Sequence, residues 1–470
     1  MKRSLLAAAS ALALAGCVVG PNYVSPAPNA PAQAPFAGAA SPAFTGDEPP
    51  GEWWRLFDDA TLDRLVRQAL AANTDLRVAE ANLRRARAVL SESRRAGRLP
   101  MTTVSGSATH SRQSAEAIGI PGVDTEGDTF DVGFDVSYQL DLFGRVHRAI
   151  EASRADAETV QAAFDLTRIT VAAETARAYA DACSAGRQLA VARESVRIQE
   201  ETYDLTRRLL DAGRATALEL NQAGALLDQT RATIPTLEAA RTTALYRLAV
   251  LTGRPPADFP PEAARCETPP ALAQAIPVGD GTSLLARRPD IRQTDRRLHA
   301  ATARIGVATA ELYPSITLGG SIGSTATSLG DIGTSDSFRF GIGPLISWSF
   351  PNIAAARARI RQAEAEADAA LATYEGTWLN ALRETESALT RYARELDRLA
   401  ALRRAHAQGA EALRIAQLRY QAGRESFQVV LDAQRALAQT DALLAQSEAA
   451  VSDNLVTLFL ALGGGWRNEG

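Results

Sequence analysis

TFDVGFDVSYQLDLFG, residues 129–144, alternates Phe130, Val132, Phe134, Val136, Tyr138 and Leu140 with Asp131, Gly133, Asp135, Ser137, Gln139 and Asp141. Strict period-two patterning marks a β-strand with one apolar and one polar face. The sequence on either side is rich in Ala, Leu, Arg and Glu and reads as long helix. Three further stretches share the strand pattern. Thr102, Val104, Gly106 and Ala108 alternate with Thr103, Ser105, Ser107 and Thr109; Ile316, Leu318, Gly320 and Ile322 alternate with Ser315, Thr317, Gly319 and Ser321. Phe338, Phe340, Ile342, Ile346, Trp348 and Phe350 are set against Arg339, Gly341, Gly343, Ser347 and Ser349. The predicted strands cover about 101–110, 129–141, 315–323 and 337–350. About ten residues suits a tilted membrane-spanning strand, and aromatics near both ends of the fourth match the girdles of such strands. A soluble sandwich would rarely isolate its strands as single hairpins between long helices.

The strands sit in a chain that repeats itself. TDLRVAEANLRRAR (74–87) matches PDIRQTDRRLHAAT (289–302), and DAGRATALELNQAGALLDQT (211–230) matches QAGRESFQVVLDAQRALAQT (421–440). The period of about 210 residues is too long for a solenoid and indicates duplication of a whole half. Each half runs from a helix of about 30 residues to a Leu-Pro or Tyr-Pro stop, two strands, a very long helix (145–211 or 353–421), an Ala-Gly break and a second long helix. If continuous, the longest helices would each reach about 100 Å. Their apolar positions are mostly Ala and Leu, which suits close helix–helix packing. The expected organisation is residues 1–16 as signal, 17–50 as a Pro-rich tether, 51–253 as the first repeat, 254–280 as linker, 281–463 as the second repeat and 464–470 as a tail. Asp59 or Thr61 is placed to cap the first helix.

The 470 residues carry a formal net charge of −4, with Arg and acidic residues interleaved, which excludes the concentrated basic face of a nucleic-acid-binding protein. MKRSLLAAASALALAGC has the charged start, short apolar run and small residues of a secretory signal. LAGC, residues 14–17, resembles the lipobox of bacterial lipoproteins, which implies cleavage before Cys17 and lipid on its thiol and new amine. Several acyl chains on one residue give stable anchoring, and Val18 after the cysteine resembles outer-membrane sorting. An oxidising compartment permits a Cys183–Cys266 disulfide, while two unpaired small residues is the alternative. No later run is long and apolar enough for a spanning helix, so a membrane would be crossed by strands.

Four strands cannot close a barrel, and an open edge in lipid leaves backbone N–H and C=O groups unpaired. Copies of the chain must therefore pool strands, eight in a dimer or twelve in a trimer. The LAGC signal, the CVVGPNY start, the repeat, the hairpins, DLFGR (141–145) and RYQAG…VVLDAQRAL (419–437) together resemble the TolC-like outer-membrane efflux proteins, in their OprM/NodT-type lipoprotein branch. That resemblance implies a mostly α fold with a small transmembrane β part. As a homotrimer it would form a twelve-stranded barrel in the outer membrane and a twelve-helix α-barrel across the periplasm. It also implies a periplasmic adaptor and an inner-membrane pump of the resistance-nodulation-division type as partners.

No catalytic constellation is present. His110, His147, His299 and His406 have no metal-ligand spacing, and no phosphate loop, HExxH or GxSxG occurs, so neither enzyme activity nor a cofactor is expected beyond the lipid on Cys17. GVDTEGD (122–128) lacks EF-hand spacing and reads as a solvated loop. By the resemblance, Asp432 and Arg435 lie near a periplasmic constriction where three copies of the aspartate would repel unless countered; the bland reading is an exposed i,i+3 pair. Position 429, acidic in some relatives, is Val429, and the first-half counterparts Gln222 and Ala225 are uncharged. Asp131, Asp135 and Asp141 are expected to line a lumen. The function implied is a passive exit duct for an efflux pump. Its alternatives are a duct for type I protein secretion and a lipid-anchored, non-spanning periplasmic adaptor.

Overall fold

The structure, a computed structural model, describes residues 18–28, 30–114, 116, 119, 126–272, 274–351 and 353–464. In chain order its main elements are β1 (Phe44–Thr45), α1 (Ala60–Ala72), α2 (Thr74–Arg98), β2 (Met101–Arg112), β3 (Glu126–Leu140), α3 (Arg145–Asp211), α4 (Ala217–Arg231), α5 (Ile234–Leu251), β4 (Ile276–Pro277), α6 (Gly281–Arg287), α7 (Pro289–Ala310), β5 (Ser315–Ala326), β6 (Phe338–Ser347), α8 (Ile353–Gln421) and α9 (Phe427–Ala461). The helices α3 and α8 have the bounds read from the sequence, 67 and 69 residues. Both end where glycine takes up left-handed backbone, Gly213 at φ 70° and Gly423 at φ 66°. The amides of Arg214 and Arg424 then close on the carbonyls of Leu209 and Arg419 at 2.7 and 2.9 Å, satisfying the last turn.

Local chemistry also shortens and divides helices. Asp59 is the N-cap of α1, its carboxylate accepting the amides of Thr61 and Leu62. Asn73 separates α1 from α2, accepting from the amides of Asp75 and Leu76 and donating to the Leu251 carbonyl. The helices before the hairpins are therefore 25 and 22 residues, shorter than expected. The last helix of the first half is divided at Ala232–Thr233, whereas α9 runs unbroken for 35 residues. Pro235, near the start of α5, has no amide to donate and crowds the preceding turn; its counterpart in the second half is Ala445.

The chain forms two compact units. One comprises the described part of Met1–Pro26 with Leu83–Val160 and Gln293–Glu375; the other comprises Ala27–Asn82, Gln161–Arg292 and Gly376–Gly470. The first contains the sheet of order β2-β3-β5-β6, antiparallel throughout. The second is built around a buried apolar cluster in which Trp53 stacks on Phe459 at 4.8 Å beside Trp54, Leu65, Leu248, Leu389 and Leu455. Part of the Pro-rich segment packs into it. Phe36 and Phe44 are buried there, β1 pairs with β4, and the amides of Ala37 and Gly38 donate to the two carboxylate oxygens of Glu386, each at 2.8 Å.

Cys183, fully buried on α3, is bonded to Cys266 in the linker. The bond closes a loop across a sequence separation of 83, for which chain entropy gives about 4–5 kcal/mol of stabilisation. Replacing both cysteines with serine should lower the urea midpoint of the oxidised protein to that of the reduced wild type. Equal midpoints for oxidised wild type and variant would show that the bond contributes nothing.

Candidate functional site

The strand register turns four separate alternations into one two-faced sheet. Pairs such as Val104↔Phe134, Phe134↔Ile322 and Ile322↔Phe340 put the apolar residues of all four strands on one face. Ser107↔Asp131, Asp131↔Thr325, Asp135↔Ser321 and Ser321↔Gly341 put the polar ones on the other. Within the chain Ile342 is 82% and Phe340 74% exposed, so the apolar face is bare. Along β3 the band runs from Phe130 to Leu140, which at ~3.3 Å per residue and a tilt of about 40° is a height of roughly 25 Å, that of a membrane barrel's apolar belt. The edge strands are β2 and β6, and Pro344, which has no amide to donate, lies on β6.

Asp131 and Asp135 both lie on the polar face. Asp131 receives a two-pronged ion pair from Arg339, whose Nη2 lies 2.8 Å from each carboxylate oxygen, and the Thr325 hydroxyl donates to it at 2.6 Å. Asp141 does not join them. β3 ends at Leu140, and the Asp141 carboxylate accepts the amides of Val146 and His147 at 2.9 and 2.8 Å, at the start of α3. The expected third lumen carboxylate is therefore a helix cap, because an acidic side chain just ahead of a helix satisfies its unpaired first-turn amides. β3 also begins earlier than expected and takes in Glu126 to Asp128, since His110 and Arg112 on β2 face Asp128 and Glu126. Residues 122–125 of GVDTEGD lie outside the described residues. β6 stops at Ser347, after which the Trp348 indole donates to the Leu312 carbonyl at 3.2 Å.

At this end of the sheet lies the N-terminal segment. Its prolines keep it extended, yet it is seated on the protein rather than free. The Val19 amide donates to Phe143 O at 3.3 Å, and Phe143 stacks on Tyr313 at 4.5 Å. Buried Arg148 holds the carbonyls of Val19 and Gly20 and the Asn22 side chain. Tyr23 stacks on His299 at 4.4 Å, and the hydroxyls of Tyr23 and Ser25 donate to one oxygen of buried Asp295 at 2.5 and 2.6 Å. Burial first, and then the bond to Asp295, push the Tyr23 phenol above its ordinary range. Glu151 ties the arrangement together by pairing with Arg148 at 2.8 Å and His299 at 2.9 Å. Burial raises its carboxyl, but the bonds from His299 and Arg148 outweigh this and hold it below the usual carboxylate range. Cys17, the expected lipid site, lies outside the described residues, one position before this seated segment.

Asp432 and Arg435 lie on α9 in the other unit. They pair within the helix at 3.0 Å, Gln428 also donates to Asp432 at 3.2 Å, and both side chains are more than half exposed. Between them along the helix, Gln434 is buried and donates to the Thr202 hydroxyl of α3 at 2.7 Å. Nearby Phe427 and Leu431 pack against Ala223 and Leu226. Gln434 carried no signal in the sequence beyond its place in the repeat. Among the described residues no group of three His, Cys, Asp or Glu is placed to hold a metal, and no helix is long and apolar enough to cross a membrane.

The sequence profile of the family described as outer membrane efflux protein matches residues 65–254 and 282–464. Nodulation protein T of Rhizobium leguminosarum bv. trifolii is 32% identical over 97% of this chain and 96% of its own length. The antibiotic efflux pump outer membrane protein ArpC of Pseudomonas putida is 31% identical over 100% of this chain and 97% of its own. The solved structure of the outer-membrane channel OprN superposes with a TM-score of 0.89 at 37% identity, covering 96% of this chain and 100% of that one.

Two outcomes follow from the geometry. A charge in the middle of a lipid-facing band costs about 2–4 kcal/mol, so Phe134→Lys should abolish folded protein in outer-membrane extracts while Ser105→Lys on the opposite face is tolerated. Equal yields of the two would contradict the assignment of faces. Because the Glu151 pKa is depressed on folding, its contribution is present above the ordinary carboxylate pKa and is lost as pH falls through the depressed value. Glu151→Gln, which mimics the protonated form, should speed hydrogen exchange at the Val19 amide at neutral pH; unchanged exchange would show that Glu151 does not hold the segment.

Proposed function

We propose, from the premise that the chain belongs to the family of outer membrane efflux proteins, that it is the exit duct of a tripartite pump. It is a transport protein and not an enzyme. The observation that carries the proposal is the four-stranded sheet with one bare apolar face about 25 Å high and two unpaired edges. Lipid covers the face, but only strands from another copy can cover the edges. Because the four strands alternate in direction, β6 of one copy meets β2 of the next in antiparallel sense, so the sheet can be extended by whole copies without a mismatch. Three copies make a twelve-stranded barrel with an open lumen, and the paired long helices of the duplicated halves make a twelve-helix tunnel. Eight strands from a dimer would leave a filled interior instead.

The remaining parts follow from this arrangement. Cys17 carries lipid that holds the chain to the outer membrane, and the seated segment after it keeps that anchor beside the end of the sheet. A periplasmic adaptor and an inner-membrane pump of the resistance-nodulation-division type deliver small molecules, and the duct passes them without energy of its own. Support for small-molecule cargo comes from the likeness to ArpC, an antibiotic efflux pump component. Asp432 lies in the periplasmic entrance of the duct, where three copies come together. Arg435, paired with Asp432 within each helix, also reaches the aspartates of the neighbouring copies, so that the two residues together hold the entrance closed.

Replacing Asp432 and Arg435 with alanine should raise single-channel conductance in planar bilayers several-fold. Conductance equal to wild type would remove these residues from the gate. Loss of the protein should sensitise its host to drugs, with resistance restored by the wild-type chain.

A further inference from the structure

We infer that Asp135 alone sets the charge preference of the strand-lined part of the pore, because the structure gives the other strand carboxylate of that face its own counter-ion. Arg339 reaches from β6 across β5 to Asp131 on β3, making bonds at 2.8 Å to both carboxylate oxygens and a further one through Nε to the Thr325 hydroxyl at 3.0 Å. It can lie flat because the positions beneath it are glycine. A Cβ at Gly323 would stand 3.1 Å from the guanidinium carbon, and one at Gly133 would stand 3.3 Å from Nη2. Asp131 and Arg339 thus form a neutral, two-pronged pair pressed against the sheet.

Asp135 lies four residues farther along β3 on the same face, about 13 Å away along the backbone, although its Oδ2 and Arg339 Nη2 flank the same glycine, 3.8 and 3.3 Å from where a Cβ at Gly133 would stand. Its cross-strand neighbours are Thr103 and Ser321, which carry hydroxyls and no charge. Among the described residues it makes no ion pair. The rest of the polar face is Ser, Thr, Gly and Gln, with Met101 and Leu345 near its end. A carboxylate in such a setting acts on mobile ions over a Debye length, about 10 Å at 0.1 M salt but only about 3 Å at 1 M. With one such group from each protomer at the same level, small cations are enriched over anions there, and cationic solutes pass more readily than anionic ones. The assignment rests on the chain lining a water-filled pore.

The test is the reversal potential of the purified full-length protein in planar bilayers under a tenfold KCl gradient centred near 0.1 M. It uses the Asp432→Ala, Arg435→Ala background, so that the strand-lined part and not the entrance carries the selectivity. This protein should make the dilute side positive. Asp135→Asn should bring the potential at least halfway to zero, and the difference should fade near 1 M salt. Arg339→Gln should increase cation preference by exposing Asp131, and Asp131→Asn with Arg339→Gln should return the value found with both residues intact. A potential unchanged by Asp135→Asn in open channels, or a double variant that fails to return that value, overturns the assignment while leaving the channel reading intact. A protein that folds and inserts yet conducts no ions overturns both.

Discussion

An unpaired strand edge in hydrocarbon is the constraint on which the rest of this protein depends. Each backbone N–H or C=O left bare there costs several kcal/mol, and this chain makes a sheet with two such edges, β2 and β6. The two edges cannot pair with each other, since a sheet of four strands is too narrow to curl onto itself. The apolar face crosses all four strands, with the charged pairs of His110 and Arg112 confined to its far end, so lipid suits that side as its packing partner. In the exit duct we propose, oligomerisation is thus a condition of the fold, and a lumen goes with it, because the face turned away from lipid is the polar one.

The termini of the strands show how this sheet is joined to helices without leaving polar groups bare. Asp141 satisfies the first amides of α3 directly after β3, and Trp348 gives its indole proton to Leu312 directly after β6. The seated N-terminal segment adds a third connection at the same end, through Phe143 and Arg148. In the other unit, Trp53 stacks on Phe459 of α9, and the Cys183–Cys266 bond ties the linker to α3.

Much of this was legible in the sequence because its signals are local. Period-two alternation located all four strands, Gly213 and Gly423 marked the ends of both long helices, and Asp59 was one of two candidates for the cap it makes. What escaped depends on contacts between distant residues. Asp141 continued the strand's alternation and looked like a lumen group; only the position of the α3 amides makes it a cap. The prolines of the N-terminal segment forbid helix, but they do not reveal that Arg148 and Asp295 would hold it. Arg339 was read as a polar-face residue, and its bond to Asp131 required the register of three strands. Pro235 was visible, but the match between the halves drew attention away from the break it makes in one of them.

The claim that copies of the chain pool their strands can be tested at the edges themselves. A cysteine in place of Ser105 on β2, combined in turn with cysteines at successive positions along β6, should form disulfides between chains in outer membranes. The products should end at a closed trimer at the positions where the two edges are in register. Products that stop at a dimer, or no bond between chains at any β6 position, would contradict the account.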